Sequence, residues 1–149
     1  MLNKDYIIGL VDGEGSFNVQ IRNDRKKTRV QLKFSVKLRH QDKEILYELQ
    51  RFFGCGTIYI QKDKRKNHST CYRFEVQNKK DIREKIIPFF QLNLPKIASR
   101  KKDFELFQTI EKLLNSQPID FQSIQNIKNQ MHWGARRIRE NRPCGGNAE

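Results

Sequence analysis

Acidic residues are in short supply. Asp and Glu number 17 against 30 Lys and Arg, so the chain carries a net charge of +13. A stable domain with that excess repels itself, and a standing polyanionic partner is the simplest reason for the imbalance; nucleic acid is the first candidate. Long apolar runs are also lacking. None reaches the roughly 20 residues that span a bilayer, so no membrane partner is expected. The start, Met1-Leu2-Asn3-Lys4-Asp5-Tyr6, shows neither a signal-peptide pattern nor an Arg- and Ser-rich transit pattern. The three cysteines, Cys55, Cys71 and Cys144, are odd in number and scattered, which argues against a disulfide framework or a zinc site. His40, His68 and His132 show no ligand spacing. Alanine occurs three times, while Lys, Ile, Asn, Gln and Phe abound. That skew is typical of an AT-rich coding genome, such as an organelle's. Core material is not lacking: 36% of the 149 residues are hydrophobic and ten are Phe, enough for one folded domain.

The order of elements is legible from periodicity. Tyr6, Ile7, Ile8, Leu10 and Val11 cluster as in a helix that Asn3 or Asp5 could cap. Gly9 and Gly13 lie four apart on one face of it. Each glycine costs close to 1 kcal/mol relative to Ala inside a helix, so a pair on one face points to a packing reason. Strict alternation follows: Phe17, Val19 and Ile21 against Asn18, Gln20 and Arg22, then Val30, Leu32, Phe34, Val36 and Leu38 against Gln31, Lys33, Ser35, Lys37 and Arg39. Period two over this length predicts an antiparallel hairpin with one apolar and one polar face. A second helix is expected from an Asp42 cap through Ile45, Leu46, Leu49, Phe52 and Phe53 to Gly54. A second strand pair is expected through Ile58 and Ile60, then Tyr72, Phe74 and Val76. The remainder reads as helical: a short piece from Asp81 to Ile87 stopped by Pro88, a longer helix capped by Ser99, and another along Phe121, Ile124, Ile127 and Met131. Residues 1–131 are thus expected to form one domain. Residues 132–149, with Arg136, Arg137, Arg139 and Arg142, make a basic tail expected to be poorly ordered without nucleic acid or a partner.

The first helix suggests a chemistry. With almost no side chain at Gly9 and Gly13, the same helix of a second subunit could approach closely, making an isologous contact. Two copies of Glu14 would then meet beside the negative ends of two helix macrodipoles. Such an electronegative pocket raises a carboxylate pKa or recruits a hard divalent cation. Flanked by a basic sheet face, it could hold Mg²⁺ against a phosphodiester and activate water.

Residues 7–15, Ile-Ile-Gly-Leu-Val-Asp-Gly-Glu-Gly, resemble the signature nonapeptide of the LAGLIDADG homing endonucleases. Gly9, Leu10, Asp12 and Gly15 match it letter for letter. Ile7, Val11 and Glu14 are conservative replacements, and Ile8 and Gly13 stand where the name has Ala. Ser16-Phe17, the run from Phe34 to Leu46, Phe53 to Ile58 and the basic stretch Arg100-Lys101-Lys102 extend the resemblance over roughly residues 5 to 115. It implies an α+β fold: an αββαββα core whose saddle-shaped antiparallel sheet straddles the DNA major groove, here with extra C-terminal helices. One motif per chain implies a homodimer acting on a long, pseudo-palindromic duplex, paired through Ile7, Gly9, Leu10, Asp12 and Gly13. It implies that Glu14, helped by the Gly13 carbonyl, binds Mg²⁺, that Ca²⁺ binds there without supporting cleavage, and that Arg100 or Lys101 sits near the scissile phosphate. Asp12 is expected to serve the helix end. Leu38 departs from the family pattern where many relatives have an active-site Gln; either another residue, such as Gln31 or Lys37, supplies that polarity, or cleavage is weakened.

The expected DNA-binding set combines strands and hairpin tips: Asn18, Gln20, Arg22, Arg25, Lys26, Lys27, Arg29, Gln31, Lys33, Ser35, Lys37 and Arg39 in the first hairpin, and Tyr59, Gln61, Lys62, Lys64, Arg65, Lys66, Arg73, Glu75 and Gln77 in the second. Alternatives are an RNA maturase of the same fold, acting on its own intron RNA, and a non-catalytic DNA-binding regulator. An organelle, mitochondrion or chloroplast, is the expected location.

Overall fold

Asn3 opens the first helix by accepting a hydrogen bond from the Tyr6 amide at 2.9 Å. The computed structural model describes residues 1–62 and 70–132. Helix α1 (Lys4–Glu14) passes directly into strand β1 (Gly15–Asp24), which turns into β2 (Lys27–Arg39). A short 3-10 turn leads to α2 (Lys43–Phe53), then β3 (Thr57–Gln61) and β4 (Cys71–Val76). A continuous helical run follows: α3 (Lys79–Asp81), a π-helical turn (Ile82–Ile86) and α4 (Ile87–Leu92). Helices α5 (Ala98–Leu114) and α6 (Phe121–Gln130) complete the described chain. The four strands form one antiparallel sheet in the order β1-β2-β4-β3. This is the α+β arrangement that the alternation predicted.

One face of the sheet is dry. Phe17, Val19, Val30, Leu32, Phe34, Val36, Phe74 and Val76 are buried there with residues of the helices. Phe17 is the hub. Its ring centroid lies 5.2 Å from those of Phe34 and Phe90, and 5.3 Å from Phe104 and Phe107, so one side chain of β1 binds β2, α4 and α5 together.

Several local expectations change. Asp42 stands at the start of α2 but makes no side-chain cap bond. Pro88 does not stop the third helical segment. The π turn just before it resets the backbone register, so the ring falls in the first turn of α4, where no donor is needed. Ser99 lies inside α5, not at its cap. Gly56, at φ +95°, lies against the Phe74 ring and leaves no room for a Cβ.

The glycines of α1 divide into two kinds. At Gly15, where the helix becomes a strand, an added Cβ would lie 2.7 Å from Val11 Cγ1 and 2.8 Å from the Val11 carbonyl oxygen. At Gly9 and Gly13 it would meet nothing within 4 Å. In dilute protein, Gly15→Ala should therefore cost on the order of 1–3 kcal/mol, whereas Gly9→Ala should be neutral or stabilise by up to about 1 kcal/mol. Urea unfolding measures both, and equal losses would contradict this division.

Candidate active site and nucleic-acid face

Helix α1 buries Ile7, Ile8 and Val11. At 3.6 residues per turn, Tyr6, Gly9, Leu10 and Gly13 then fall on the opposite side. Tyr6, Gly9 and Gly13 are exposed and Leu10 is half-buried. Ile7, expected on a pairing face, instead points into the core with no exposure. The open strip is centred on the two glycines, and no atom of the described chain covers them.

Asp12 is committed within the chain. Its Oδ1 accepts from the Lys96 amide at 3.0 Å and the Ile97 amide at 3.1 Å, with Oδ2 3.2 Å from the Lys96 nitrogen. Helix α5 has no side-chain cap of its own, so the carboxylate supplies one from across the fold, next to the positive end of the helix dipole. The bond stitches the end of α1 to the start of α5. Glu14, exposed, is two residues beyond one end of that stitch. Arg100, half-buried, and Lys101, exposed, lie in the first turn of α5 at the other.

Arg100 also faces Asp103, a buried carboxylate. Burial pushes the Asp103 carboxyl up. Hydrogen bonds from the His132 ring and backbone, with the nearby charges of His132 and Arg100, outweigh it and hold the group below its ordinary range. The His132 amide donates to Asp103 Oδ1 at 3.0 Å and its Nδ1 lies 3.0 Å from Oδ2. His132, the last described residue, adopts a positive φ of 54° there. Sequence reasoning missed this pair because its members are 29 positions apart.

A cation at Glu14 would find oxygen donors: its carboxylate and the Gly13 carbonyl in the last helical turn, where carbonyls lack intrahelical partners. Hard oxygen donors suit Mg²⁺ or Ca²⁺. Among the described residues no three His, Cys, Asp or Glu side chains come together. One chain thus offers part of a coordination sphere.

The polar face of the sheet is a ladder of paired side chains. Asn18 stands opposite Lys33, Gln20 opposite Gln31 and Arg22 opposite Arg29 across β1 and β2. Ser35 stands opposite Glu75 and Lys37 opposite Arg73 across β2 and β4, and Tyr59 opposite Arg73 across β3 and β4. Like charges directly opposite destabilise a sheet, yet Arg22/Arg29 and Lys37/Arg73 do this twice. Arg39, Gln61 and Gln77 share this face by strand parity. Lys27 begins β2, Arg25 and Lys26 form the first hairpin's tip, and Lys62 follows β3. Lys64, Arg65 and Lys66, like the tail beyond His132, lie outside the described residues. Ser16 and Thr57 also occupy this face by strand parity, and the alternation that marks the expected set marks them too.

Three expectations are corrected by geometry. Leu38 packs against the hydrophobic core, so it faces away from any site at Glu14. Gln31 is five residues along β2 from Val36, the partner of Gly15, roughly 17 Å away by strand rise; its amide donates to Gln77 Oε1 at 2.6 Å. Lys37, next to Val36 and on the polar face, is the nearer candidate. Glu75, expected as a free base reader, is 4% exposed and held by Lys33 and Arg73.

Similarity to known proteins follows the same outline. The sequence profile described as LAGLIDADG endonuclease matches residues 7–111. A probable intron-encoded DNA endonuclease 1 of Mycosarcoma maydis is 35% identical over 105 residues, which is 70% of this chain and 35% of that protein. The chain thus spans about a third of that relative's length. The crystal structure of a homing endonuclease, I-TnaI, is 27% identical with a TM-score of 0.76, over 93% of this chain and 95% of the other. The LAGLIDADG homing endonuclease I-SmaMI bound to cleaved DNA is 26% identical with a TM-score of 0.76, over 89% of this chain and 44% of that one; I-SmaMI is also known bound to an uncleaved DNA target in the presence of calcium ions.

The Asp103 carboxyl, depressed in the folded chain, contributes stability that is fully present above its ordinary value of 3.8 and is lost as pH falls through its lower native value. Asp103→Asn should therefore lower the Tm at neutral pH, and its gap to the wild type should close in strong acid. A gap that stays constant across the titration would contradict a charge-based role. The glycine-faced α1, its terminal acid and the basic sheet beside it, together with the profile match over most of the sequence, place this chain in the LAGLIDADG endonuclease family.

Proposed function

We propose that the chain is one subunit of a metal-dependent, site-specific DNA endonuclease that works as a pair of identical copies. The observation that carries this reading is the strip of α1 at Gly9 and Gly13, left open in the fold, ending at Glu14 and continuing into a basic sheet face. In this reading two α1 helices pack glycine to glycine, which brings two Glu14 carboxylates together. Each copy then completes the other's partial coordination sphere. The Glu14 carboxylate and the Gly13 carbonyl would hold Mg²⁺, which would supply a Lewis acid and an activated water; the same residues would hold Ca²⁺ without supporting cleavage. Arg100 and Lys101 stabilise charge on the phosphate from the start of α5, and Lys37 supplies a cation on the sheet side.

Two symmetry-related sheets would read a long, pseudo-palindromic duplex, with Arg22, Arg25, Lys26, Lys27 and Arg29 on the backbone and inner strand residues on base edges. The intron-encoded relatives suggest a gene inside an intron, and the composition suggests an organelle. Assistance in splicing would use the basic face but would have no need of Glu14 at the end of an open helix, which favours cleavage.

Glu14→Gln keeps the shape and removes the charge. It should lower cleavage by roughly a hundredfold or more while leaving duplex affinity nearly unchanged. A variant that cuts at the wild-type rate would overturn the metal-site assignment.

A further inference from the structure

The polar sheet face carries one acid in a place where an acid is hard to justify. Glu75 lies between Ser35 and Thr57 in register, on the surface proposed above to meet a polyanion, and is only 4% exposed. An uncompensated carboxylate there would be desolvated and would repel phosphate. It is compensated twice. Lys33 Nζ lies 3.4 Å from Oε1 and Arg73 Nε lies 3.0 Å from Oε2. The Arg73 contact is an ion pair without the alignment of a hydrogen bond.

Arg73 is held from a second side. Its guanidinium carbon lies 5.9 Å from the centre of the Tyr59 ring, over its face. The Tyr59 hydroxyl is within 3.5 Å of Gln77 Nε2, and Gln77 Oε1 accepts from Gln31. The ring is thus tied into a network that joins β3 to β2 through Gln77, just past the end of β4. Among the described residues, Glu75 meets Arg73 at its Nε edge and Tyr59 meets it at its flat face. A guanidinium restrained on these two sides has fewer orientations open to it, and its planar fork matches the O6 and N7 acceptors of a guanine in the major groove.

We propose that Glu75 is a positioning residue for base recognition: it reads no base, but holds Arg73 as a preformed fork for a guanine, with Lys33 fixed beside it. This rests on the DNA-binding reading above. It assigns the acid a role opposite to the direct readout its strand position suggested. The entropy of ordering a long side chain is spent in folding, so the pair discriminates more sharply on contact.

The test uses the full chain and a randomised pool of long duplexes, with binding measured in Ca²⁺. The wild type should select a guanine at one position per half-site. Arg73→Ala should flatten that position by about 5- to 100-fold. Glu75→Gln, equal in shape, should flatten the same position, and the double variant should lose no more than Arg73→Ala alone. Three results would overturn the proposal: relaxation by Glu75→Gln at a different position, an equal weakening on all sequences, or an unchanged preference. A second arm needs no DNA. The Arg73 Nε–Hε resonance in free protein should stand apart from those of solvent-exposed arginines and should move to join them in Glu75→Gln; a resonance indifferent to the substitution would refute the clamp. Failure of the wild type to select any sequence would refute the nuclease reading instead, while the resonance still judges the clamp.

Discussion

Helix α1 becomes strand β1 with no residue between them, and the rest of the arrangement depends on that passage. Gly15 makes it possible, because a side chain there would collide with Val11. The consequences run in both directions. Glu14 is held at the border between the helix end and the polar sheet face. Two residues into β1, Phe17 enters the aromatic hub that fastens β1 to β2, α4 and α5. Asp12 closes the loop by capping α5 from the other side of the bend. The acid and the cations of α5 are therefore positioned by one rigid corner, not by flexible loops.

The charge distribution makes sense on the same frame. A net charge of +13 strains a small domain, and the register of the sheet adds to the strain by setting Arg22 against Arg29 and Lys37 against Arg73. The phenylalanine-rich core offsets this. Cations so arranged gain nothing from one another, and a polyanion lying across the strands would relieve them all at once. Glu75 is the local exception: it is buried between two cations, Lys33 and Arg73, and in the proposed readout it supports them instead of competing with phosphate.

Much of this was legible in the sequence, for identifiable reasons. Period-two alternation over β1 and β2 fixes both strands and both faces, since a slip of one residue would expose Phe17 and Phe34. The glycine spacing in α1 announces a helix with one bare side. Other features depend on partners distant in sequence. The Asp12 cap needs the amides of Lys96 and Ile97, so Ser99 looked like the local choice. The passage of the third helical segment through Pro88 depends on a π turn that no propensity announces. The family resemblance sets Leu38 where many relatives have an active-site Gln, whereas the alternation already places it on the apolar face; Lys37 is its polar neighbour. The burial of Glu75 comes from long side chains on neighbouring strands, which periodicity does not register. Ile7 shows the same limit within a single helix: the motif suggested the pairing face, and the core claimed the side chain.

The proposed pairing of two copies rests on the bare face of α1. Sedimentation equilibrium of the purified chain and of Gly9→Leu, each followed by a cleavage assay on the selected duplex, tests it most directly. The account predicts twice the 17.8 kDa chain mass for the wild type, with both strands cut. For Gly9→Leu it predicts the single-chain mass, an unchanged fold and no double-strand cleavage. A wild-type chain that stays monomeric on its DNA and still cuts both strands would contradict it.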